Sequence, residues 1–328
     1  DEHSIIYPTI LHDGCTYHMW YTGFGGDPWV AHIGYATSPD GMTWTKHPDN
    51  PVLSPGPAGS WDGRNVMNPS VVFDDGTFTM WYSGRESGVQ SGESAIGMAT
   101  STDGVSWTKH TGNPVMTKGQ AGAWDSLNVY LNEVLFDGTT YHAWYRGRDD
   151  VTGPPPSFWG EIGYATSPAG ITWTRHPDNP VFAPRPYGAW DGILYNVSVL
   201  SDGDTYHAFY TGTRTLESPM MIGYASSPDG VVWTRGVGGG GPVIRPGPLD
   251  SDWDNDGVGT PGVVAHGDQV MLYYSSWSDW QGEEKGRIGL ATAEMGELFC
   301  LRDRLNENRF QVDVMWWDAD SNFGYGTP

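Results

Sequence analysis

The same segment returns five times along the chain, and this repetition limits the fold more than any other feature. Its anchor is an Ile-Gly dipeptide, and successive copies are separated by 63, 66, 60 and 66 residues. The five copies are Ile33-Gly34, Ile96-Gly97, Ile162-Gly163, Ile222-Gly223 and Ile288-Gly289. A unit that recurs at a nearly fixed period seldom buries its apolar face alone, so neighbouring units must stack to form a core.

Each unit is predicted to contain four strands, as the second copy shows. β-prone runs at 66–73 and 77–84 are joined by an Asp-Gly turn, and a second such turn joins runs at 95–101 and 105–110. No segment carries a convincing 3.6-residue apolar period, so helices should be scarce. The sequence therefore predicts an all-β, five-bladed β-propeller with four antiparallel strands per blade and a central funnel.

The predicted propeller covers residues 1–296 as a single domain. The fifth unit lacks the turn and outer strand that close the other four, which would leave an exposed sheet edge. The tail at 297–328 contains the β-prone run RFQVDVMWW. Two interpretations stay open: this tail closes the fifth blade, or it begins a truncated β module of the kind that follows catalytic domains in secreted bacterial proteins, which it resembles.

Charge and composition exclude several classes of function. The net charge is −22, with 17 Lys and Arg against 39 Asp and Glu, and such a surface repels the phosphate backbone of nucleic acids. No apolar run approaches the ~20 residues that a membrane-spanning helix needs. We therefore expect a protein that binds neither nucleic acid nor membrane. We also predict a monomer in a secreted or periplasmic location.

The cysteines and histidines do not indicate a metal centre. Cys15 and Cys300 are the two cysteines of the chain, and they lack the spacing of a metal site. They either form one disulfide or remain free thiols. We predict no cofactor and no metal ligands, and we leave open a structural Ca²⁺ or other ion on the propeller axis.

The two ends of the predicted blades differ in how they repeat. The tight Asp-Gly turns return almost unchanged, which indicates scaffold. At the opposite end the loops vary in length and composition, as functional loops on a rigid frame do. We therefore expect the functional site at the variable end. The repeated Trp-Asp pairs and the repeated histidines are expected to be structural.

Glu133 is the strongest candidate for a catalytic residue. It is an acid inside an otherwise apolar inner strand, where a carboxylate is costly unless it is paired or used. Regular alternation would place Leu131, Glu133 and Leu135 on one side of the strand. A structural role between blades is therefore the competing interpretation.

Polar and aromatic residues that break the repeat are predicted to form a sugar-binding funnel. Trp29, Trp159, Trp277 and Trp280 are candidate stacking platforms on its rim. If the arginines converge, an acidic sugar becomes a plausible ligand, because guanidinium groups suit carboxylates. The candidate substrate-binding residues are Tyr7, Arg64, Asn65, Asn68, Arg85, Asn128, Tyr130, Arg146, Arg148, Tyr195, Asn196, Arg214 and Trp277.

The repeat IGYATSPDGxxWTKHPxNPVL, with xPSVxxDGxxYxMWYSG before it, resembles the five-bladed propellers of arabinanases, arabinofuranosidases and β-xylosidases, which are related to invertases and levansucrases. The resemblance covers about residues 5–292. It implies a funnel with three carboxylates: a base, a proton donor and an acid that tunes the donor.

Two of the three carboxylates that the resemblance implies are missing at the expected places. The base should precede a proline of the first inner strand, where Tyr7 stands, and a second acid should occupy the position of Asn68. The family glutamate has Glu133 as its nearest equivalent. Either Glu86, Asp149 or Asp256 supplies the missing acid, or the protein binds sugar without cutting it.

Two functions remain in view. The first is a glycoside hydrolase that acts on a plant or algal polysaccharide or its oligosaccharides by carboxylate acid–base catalysis. The alternative is a non-catalytic propeller that binds glycans or mediates contacts. The number of carboxylates at the variable end separates them, because the fold itself does not fix the function.

Overall fold

The computed structural model describes most of the chain and assigns it strands β1 to β21. The chain divides into two compact units: unit 1 is Asp1–Glu2 and Thr9–Val181, and unit 2 is His3–Pro8 and Phe182–Pro328. The described residues are 4–25, 30–86, 93–149, 160–236, 240–247, 254, 256–276 and 286–296, with the backbone alone of 314–317 and 323–326.

The first twelve strands form three four-stranded sheets, each built from strands that are consecutive in the chain. Antiparallel pairing joins their neighbours, as in β5–β6–β7–β8. The bounds are β1 (Ser4–His12), β2 (Tyr17–Gly25), β3 (Val30–Ser38), β4 (Thr45–Lys46), β5 (Asn65–Asp74), β6 (Thr77–Arg85), β7 (Ser94–Ser101), β8 (Thr108–Lys109), β9 (Asn128–Phe136), β10 (Tyr141–Arg148), β11 (Glu161–Ser167) and β12 (Thr174–Arg175).

The remaining strands form a fourth sheet in the order β13–β14–β15–β16 and a fifth in the order β17–β18–β19–β20–β21. In the fifth sheet the tail strand β20 pairs antiparallel with β19, where Trp317 lies opposite Ile288. The bounds are β13 (Ile193–Ser201), β14 (Tyr206–Thr213), β15 (Met221–Ser227), β16 (Thr234–Arg235), β17 (Val258–His266), β18 (Gln269–Ser276), β19 (Arg287–Glu294), β20 (Val314–Trp317) and β21 (Phe323–Gly326).

The prediction of an all-β chain made of five antiparallel propeller blades is confirmed. The outer strand is shorter than predicted: in the second blade it covers Thr108–Lys109 rather than 105–110. The cause is the Asp-Gly turn, in which Asp103 Oδ1 accepts the backbone N–H groups of Val105 and Ser106 at 2.8 and 2.7 Å. These residues are held in the turn and cannot pair with β7.

Large aromatic side chains pack the blades of unit 1 together. Trp20 and Trp81 are fully buried. The Trp20 indole N–H donates to the Gly104 carbonyl at 2.8 Å, and the Trp81 indole donates to Gly170 at 2.7 Å, so each tryptophan binds the turn of the following blade. Truncating such a residue to alanine typically costs about 3–5 kcal/mol.

In the second, third and fourth blades, the aspartate of the Trp-Asp pair fastens the loop before the blade to the outer strand of the same blade. In the second blade Lys109 Nζ lies 2.6 Å from Asp62 Oδ2, and in the third Arg175 Nε lies 2.9 Å from Asp125 Oδ2. Both carboxylates are buried, and Tyr145 donates to Asp125 at 3.3 Å. The repeated Lys or Arg that follows Trp-Thr is therefore half of a structural ion pair.

Candidate functional site

Many of the residues that break the repeat in unit 1 lie at the end of the blades opposite the Asp-Gly turns. We call this end the rim. There β5 and β9 begin, β6 and β10 end, and β7 and β11 begin. The rim comprises residues 64–68, 85–86, 93–94, 127–131, 146–149 and 160–162.

Asn65 and Asn128, both predicted to bind substrate, join neighbouring blades. The Asn65 side-chain oxygen accepts the backbone N–H of Ala31 at 2.8 Å, and the Asn128 oxygen accepts that of Ser94 at 3.0 Å. Both asparagines are buried. They stand at the same position of consecutive inner strands, which explains why the same contact forms twice.

Three inner strands hold a non-glycine residue in the left-handed region directly before a proline. The φ angle is 53° at Asn68 in unit 1, and it is 54° at Tyr7 and 45° at Thr260 in unit 2. Such a conformation costs about 1–3 kcal/mol and persists mostly at functional sites. In unit 1 it is held by the Thr22 hydroxyl, which accepts the Asn68 N–H at 3.0 Å.

Other predicted site residues are found in both units. Glu86 in unit 1, and Arg214 and Asp256 in unit 2, are exposed. In unit 2, Tyr195 is half-buried and Asn196 is buried at a β-bulge. The predicted stacking platforms Trp29, Trp159, Trp277 and Trp280 lie outside the described residues, as does Cys300, while Cys15 is exposed and free.

Glu133 is half-buried and contacts the neighbouring inner strand. Its Oε1 accepts a hydrogen bond of 2.7 Å from Ser70 Oγ, and the same hydroxyl accepts the Val134 N–H at 2.9 Å. The expected alternation is wrong here, because a β-bulge sets Leu131 opposite Tyr145 but Glu133 opposite Trp144. Since consecutive residues of a strand point to opposite faces, Leu131 and Glu133 lie on opposite faces.

Arg146 departs from a position that otherwise carries a hydroxyl. Ser83 in the second blade accepts the Leu131 N–H at 2.8 Å, and the third blade has arginine there instead. The Arg146 guanidinium carbon lies 4.8 Å from the centre of the Tyr130 ring, its cross-strand neighbour. A Cβ at Gly160 would lie 2.7 Å from Arg146 Cγ, so glycine permits this packing.

Three further arginines lie at the same end, and all are half-buried. Arg85 and Arg148 occupy equivalent positions at the ends of β6 and β10, and Arg64 precedes β5 with its N–H on the Arg85 carbonyl at 2.9 Å. In the described part of the chain, the buried Nε atoms of Arg85 and Arg148 have no hydrogen-bond acceptor.

Asp149 and Glu161 bring two carboxyl groups to the rim of the third blade. Glu161 begins β11 opposite Gly147, two residues before Asp149. Burial raises the pKa of Glu161 above its usual value, and the charge of Asp149 raises it further. Burial and the charge of Asp149 therefore both disfavour the ionised form of Glu161.

Sequence reasoning identified Asp149 but missed Glu161. The missed signal is the residue before each Ile-Gly anchor, which is a different type in every copy. It is His32, Ala95, Glu161, Met221 and Arg287 in turn.

No group of three or more His, Cys, Asp or Glu residues is placed to hold a metal ion within the described chain. The described residues also contain no helix of the length and apolarity that crossing a membrane requires.

Residues 9–127 match the family model described as the N-terminal domain of glycosyl hydrolases family 32. The chain is also 27% identical, over 75% of its length and 76% of the relative's, to a Mycobacterium tuberculosis protein named Uncharacterized protein Rv1502. The family match supports the predicted resemblance to propeller glycosidases over residues 9–127.

Solved structures confirm the fold of that group. A structure described as a glycoside hydrolase superposes with a TM-score of 0.70 at 22% identity and covers 89% of this chain and 88% of its own. A thermostable family-43 glycoside hydrolase gives a TM-score of 0.67 at 16% identity, covering 94% of this chain and 93% of its own. The resemblance to five-bladed propeller glycosidases is thus confirmed.

Proposed function

We propose that this protein is a carbohydrate-active propeller that hydrolyses a glycosidic bond at the rim of unit 1. The observation that carries the proposal is the pair of carboxyl groups of Asp149 and Glu161. Burial and a neighbouring charge raise the pKa of one of them. Glycoside hydrolysis needs this combination, a protonated acid beside an ionised carboxylate.

In this reaction Glu161 donates a proton to the oxygen of the leaving sugar. Asp149 either assists a water molecule or stabilises positive charge on the sugar ring. The raised pKa suits Glu161 to the donor role, because a general acid must keep its proton near the working pH.

A non-catalytic glycan-binding propeller is the second candidate, and a separate observation favours it. The left-handed positions before proline at Tyr7, Asn68 and Thr260 carry no carboxyl group. The strained backbone is present at these positions, but tyrosine, asparagine and threonine side chains do not transfer protons at neutral pH. Binding without turnover would follow.

The finer points of the proposal come from the sequence. We expect the substrate to be a plant or algal polysaccharide or its oligosaccharides, and the protein to be secreted or periplasmic and monomeric. Hydrolysis by carboxyl groups needs no cofactor, so none is part of the proposed mechanism.

Two assays on the same purified protein decide between the candidates. The protein is screened against aryl glycosides and polysaccharides for released sugar, and thermal shift records binding of the same compounds. Release of sugar by the parent and its loss in Glu161→Gln support hydrolysis. Thermal shifts without release of sugar support the binding propeller. If the protein shows neither a thermal shift nor release of sugar, both candidate functions are rejected.

A further inference from the structure

Among the described residues, the arginines of the rim form no ion pair of the kind that other cations of this chain form. The chain is poor in cations, with 17 Lys and Arg against 39 Asp and Glu. On the outer strands Lys109 and Arg175 each pair with a buried aspartate. Among the described residues, no carboxylate lies within ion-pair distance of the rim arginines, which are Arg64, Arg85, Arg146 and Arg148.

Two of these arginines bury a donor without a protein acceptor. The Nε atoms of Arg85 and Arg148 are inaccessible, and no described residue accepts a hydrogen bond from either. Burying such a donor unsatisfied is costly, more so for a charged group. Both arginines end the second strand of their blade, so the same exception occurs at equivalent places of neighbouring blades.

Arg146 is held in place although it gives up a structural hydrogen bond. At this position Thr22 and Ser83 accept an N–H from the inner strand of the next blade, at 3.0 and 2.8 Å. A guanidinium has no acceptor atom and cannot make that bond. Instead the stem of Arg146 packs on Gly160 and its head lies over the Tyr130 ring. The third blade thus exchanges a scaffold contact for a positioned cation.

We propose that the rim of unit 1 contains a subsite for an anionic group of the saccharide, formed by Arg85, Arg146 and Arg148 with Arg64 beside them. The planar fork of a guanidinium matches a carboxylate in two parallel hydrogen bonds, which a point charge does not. The ligand class is therefore a uronic acid residue within an oligosaccharide. This inference rests on the proposal that the rim binds carbohydrate, but it does not require hydrolysis.

The experiment compares a galacturonate trisaccharide with its fully methyl-esterified form by titration calorimetry. The parent should bind the acid at least about tenfold more tightly than the ester, the scale of one hydrogen bond to a charged group. Arg148→Gln should lose that preference, and Arg148→Lys should recover it only in part because lysine lacks the fork. Arg245→Gln is the matched control, since Arg245 is exposed and far along the chain in unit 2.

Inorganic phosphate is titrated separately, because a free oxyanion offers the same chemistry. Equal affinity for the acid and the ester overturns the inference. So does a result in which phosphate binds and prevents the trisaccharide from binding, while the protein shows no preference for the acidic sugar. An unchanged preference in Arg148→Gln also overturns it. Turnover is measured in parallel on neutral glycosides. If a neutral substrate is hydrolysed and the acid is not preferred over the ester, the proposed function is supported and this inference is wrong.

Discussion

The two ends of the blades in unit 1 hold their carboxyl groups in opposite ways. At the Asp-Gly turns, the backbone N–H groups of Ser106 and Val105, with the Ser101 hydroxyl, hold the pKa of Asp103 far below its usual value. At the rim, burial and the charge of Asp149 raise the pKa of Glu161. The repeated end thus keeps its acid ionised as a hydrogen-bond acceptor, whereas the rim contains an acid suited to carry a proton.

The same contrast holds for the cations. The outer strands pair Lys109 and Arg175 with buried aspartates, while Arg85 and Arg148 at the rim bury donors that no described residue satisfies. In unit 1, these outer-strand cations are thus paired within the protein, whereas these two rim arginines have a donor that no described residue satisfies. The following predictions test this division.

The largest effect on stability is expected from Asp125→Ala. Asp125 is 1% exposed and accepts hydrogen bonds from Tyr145 and Arg175. Removing it leaves a partly buried guanidinium unpaired, which should cost about 3 kcal/mol of unfolding free energy. Urea unfolding measures the loss, and turnover per folded molecule should stay at the parental value. A cost below about 1 kcal/mol would show that this ion pair contributes little to the stability of the fold.

The largest effect on activity is expected from Glu161→Gln. The substitution keeps the shape and removes the proton, so turnover should fall by about 10²-fold or more, the scale of general acid help. The matched control is Glu294→Gln, an exposed residue at the end of β19, which should turn over like the parent. Parental turnover in Glu161→Gln would exclude Glu161 as the donor.

The acids at the two ends of the blades should also change the free energy of unfolding with pH in opposite directions. The folded pKa of Glu161 lies above its usual 4.5, so its contribution to stability is present at low pH and is lost as the pH rises through the folded pKa. The folded pKa of Asp103 lies below its usual 3.8, so its contribution is present above that value and is lost as the pH falls. Urea unfolding from acid to neutral pH should show both slopes in the parent. Glu161→Gln should lack the first slope and keep the second.

A smaller gain is expected from Ala169→Asp, which restores the repeat. In the other turns an aspartate accepts two backbone N–H groups, as Asp40 does from Met42 and Thr43 at 2.8 and 2.7 Å. Ala169 offers no such acceptor and is exposed. The variant should be more stable by about 0.5–1 kcal/mol, the net value of added hydrogen bonds, as thermal unfolding would measure. A loss of stability would show that the third blade needs a different turn.

The smallest effect is expected from Glu133→Gln. Glutamine still accepts the Ser70 hydroxyl, so both stability and turnover should remain close to the parental values, with less than about 1 kcal/mol of change. A fall of about 10²-fold in turnover would make Glu133 catalytic and move the chemistry from Asp149 and Glu161 to the inner strands.

Much of the fold was predictable because the same sequence signals occur in five successive repeats. The period, the Asp-Gly turns and the alternating aromatic strands are local signals, and they located every blade. The β-bulge at Asn132 was not predictable, because it depends on pairing with β10 rather than on local sequence. That bulge is also why Glu133 does not share a face with Leu131.

The candidate site was predictable in part, through the residues that depart from the repeat. This criterion selected Arg146, Arg148 and Asp149 at the rim. Asn65 and Asn128 were also predicted to bind substrate, but they repeat in consecutive blades and their side chains join those blades. Glu161 escaped notice because it stands at the edge of a well-repeated strand. Its raised pKa comes from burial and from Asp149, and neither is visible in the sequence.

The division between a structural end and a ligand-binding end is tested most directly by amide hydrogen exchange with and without a bound oligosaccharide. Any saccharide that gives a thermal shift is suitable as the probe. The account predicts added protection at rim segments 64–68, 127–131, 146–149 and 160–162, and unchanged exchange at turn segments 38–43, 101–106 and 167–172. Protection at those turns, with none at the rim, would contradict it.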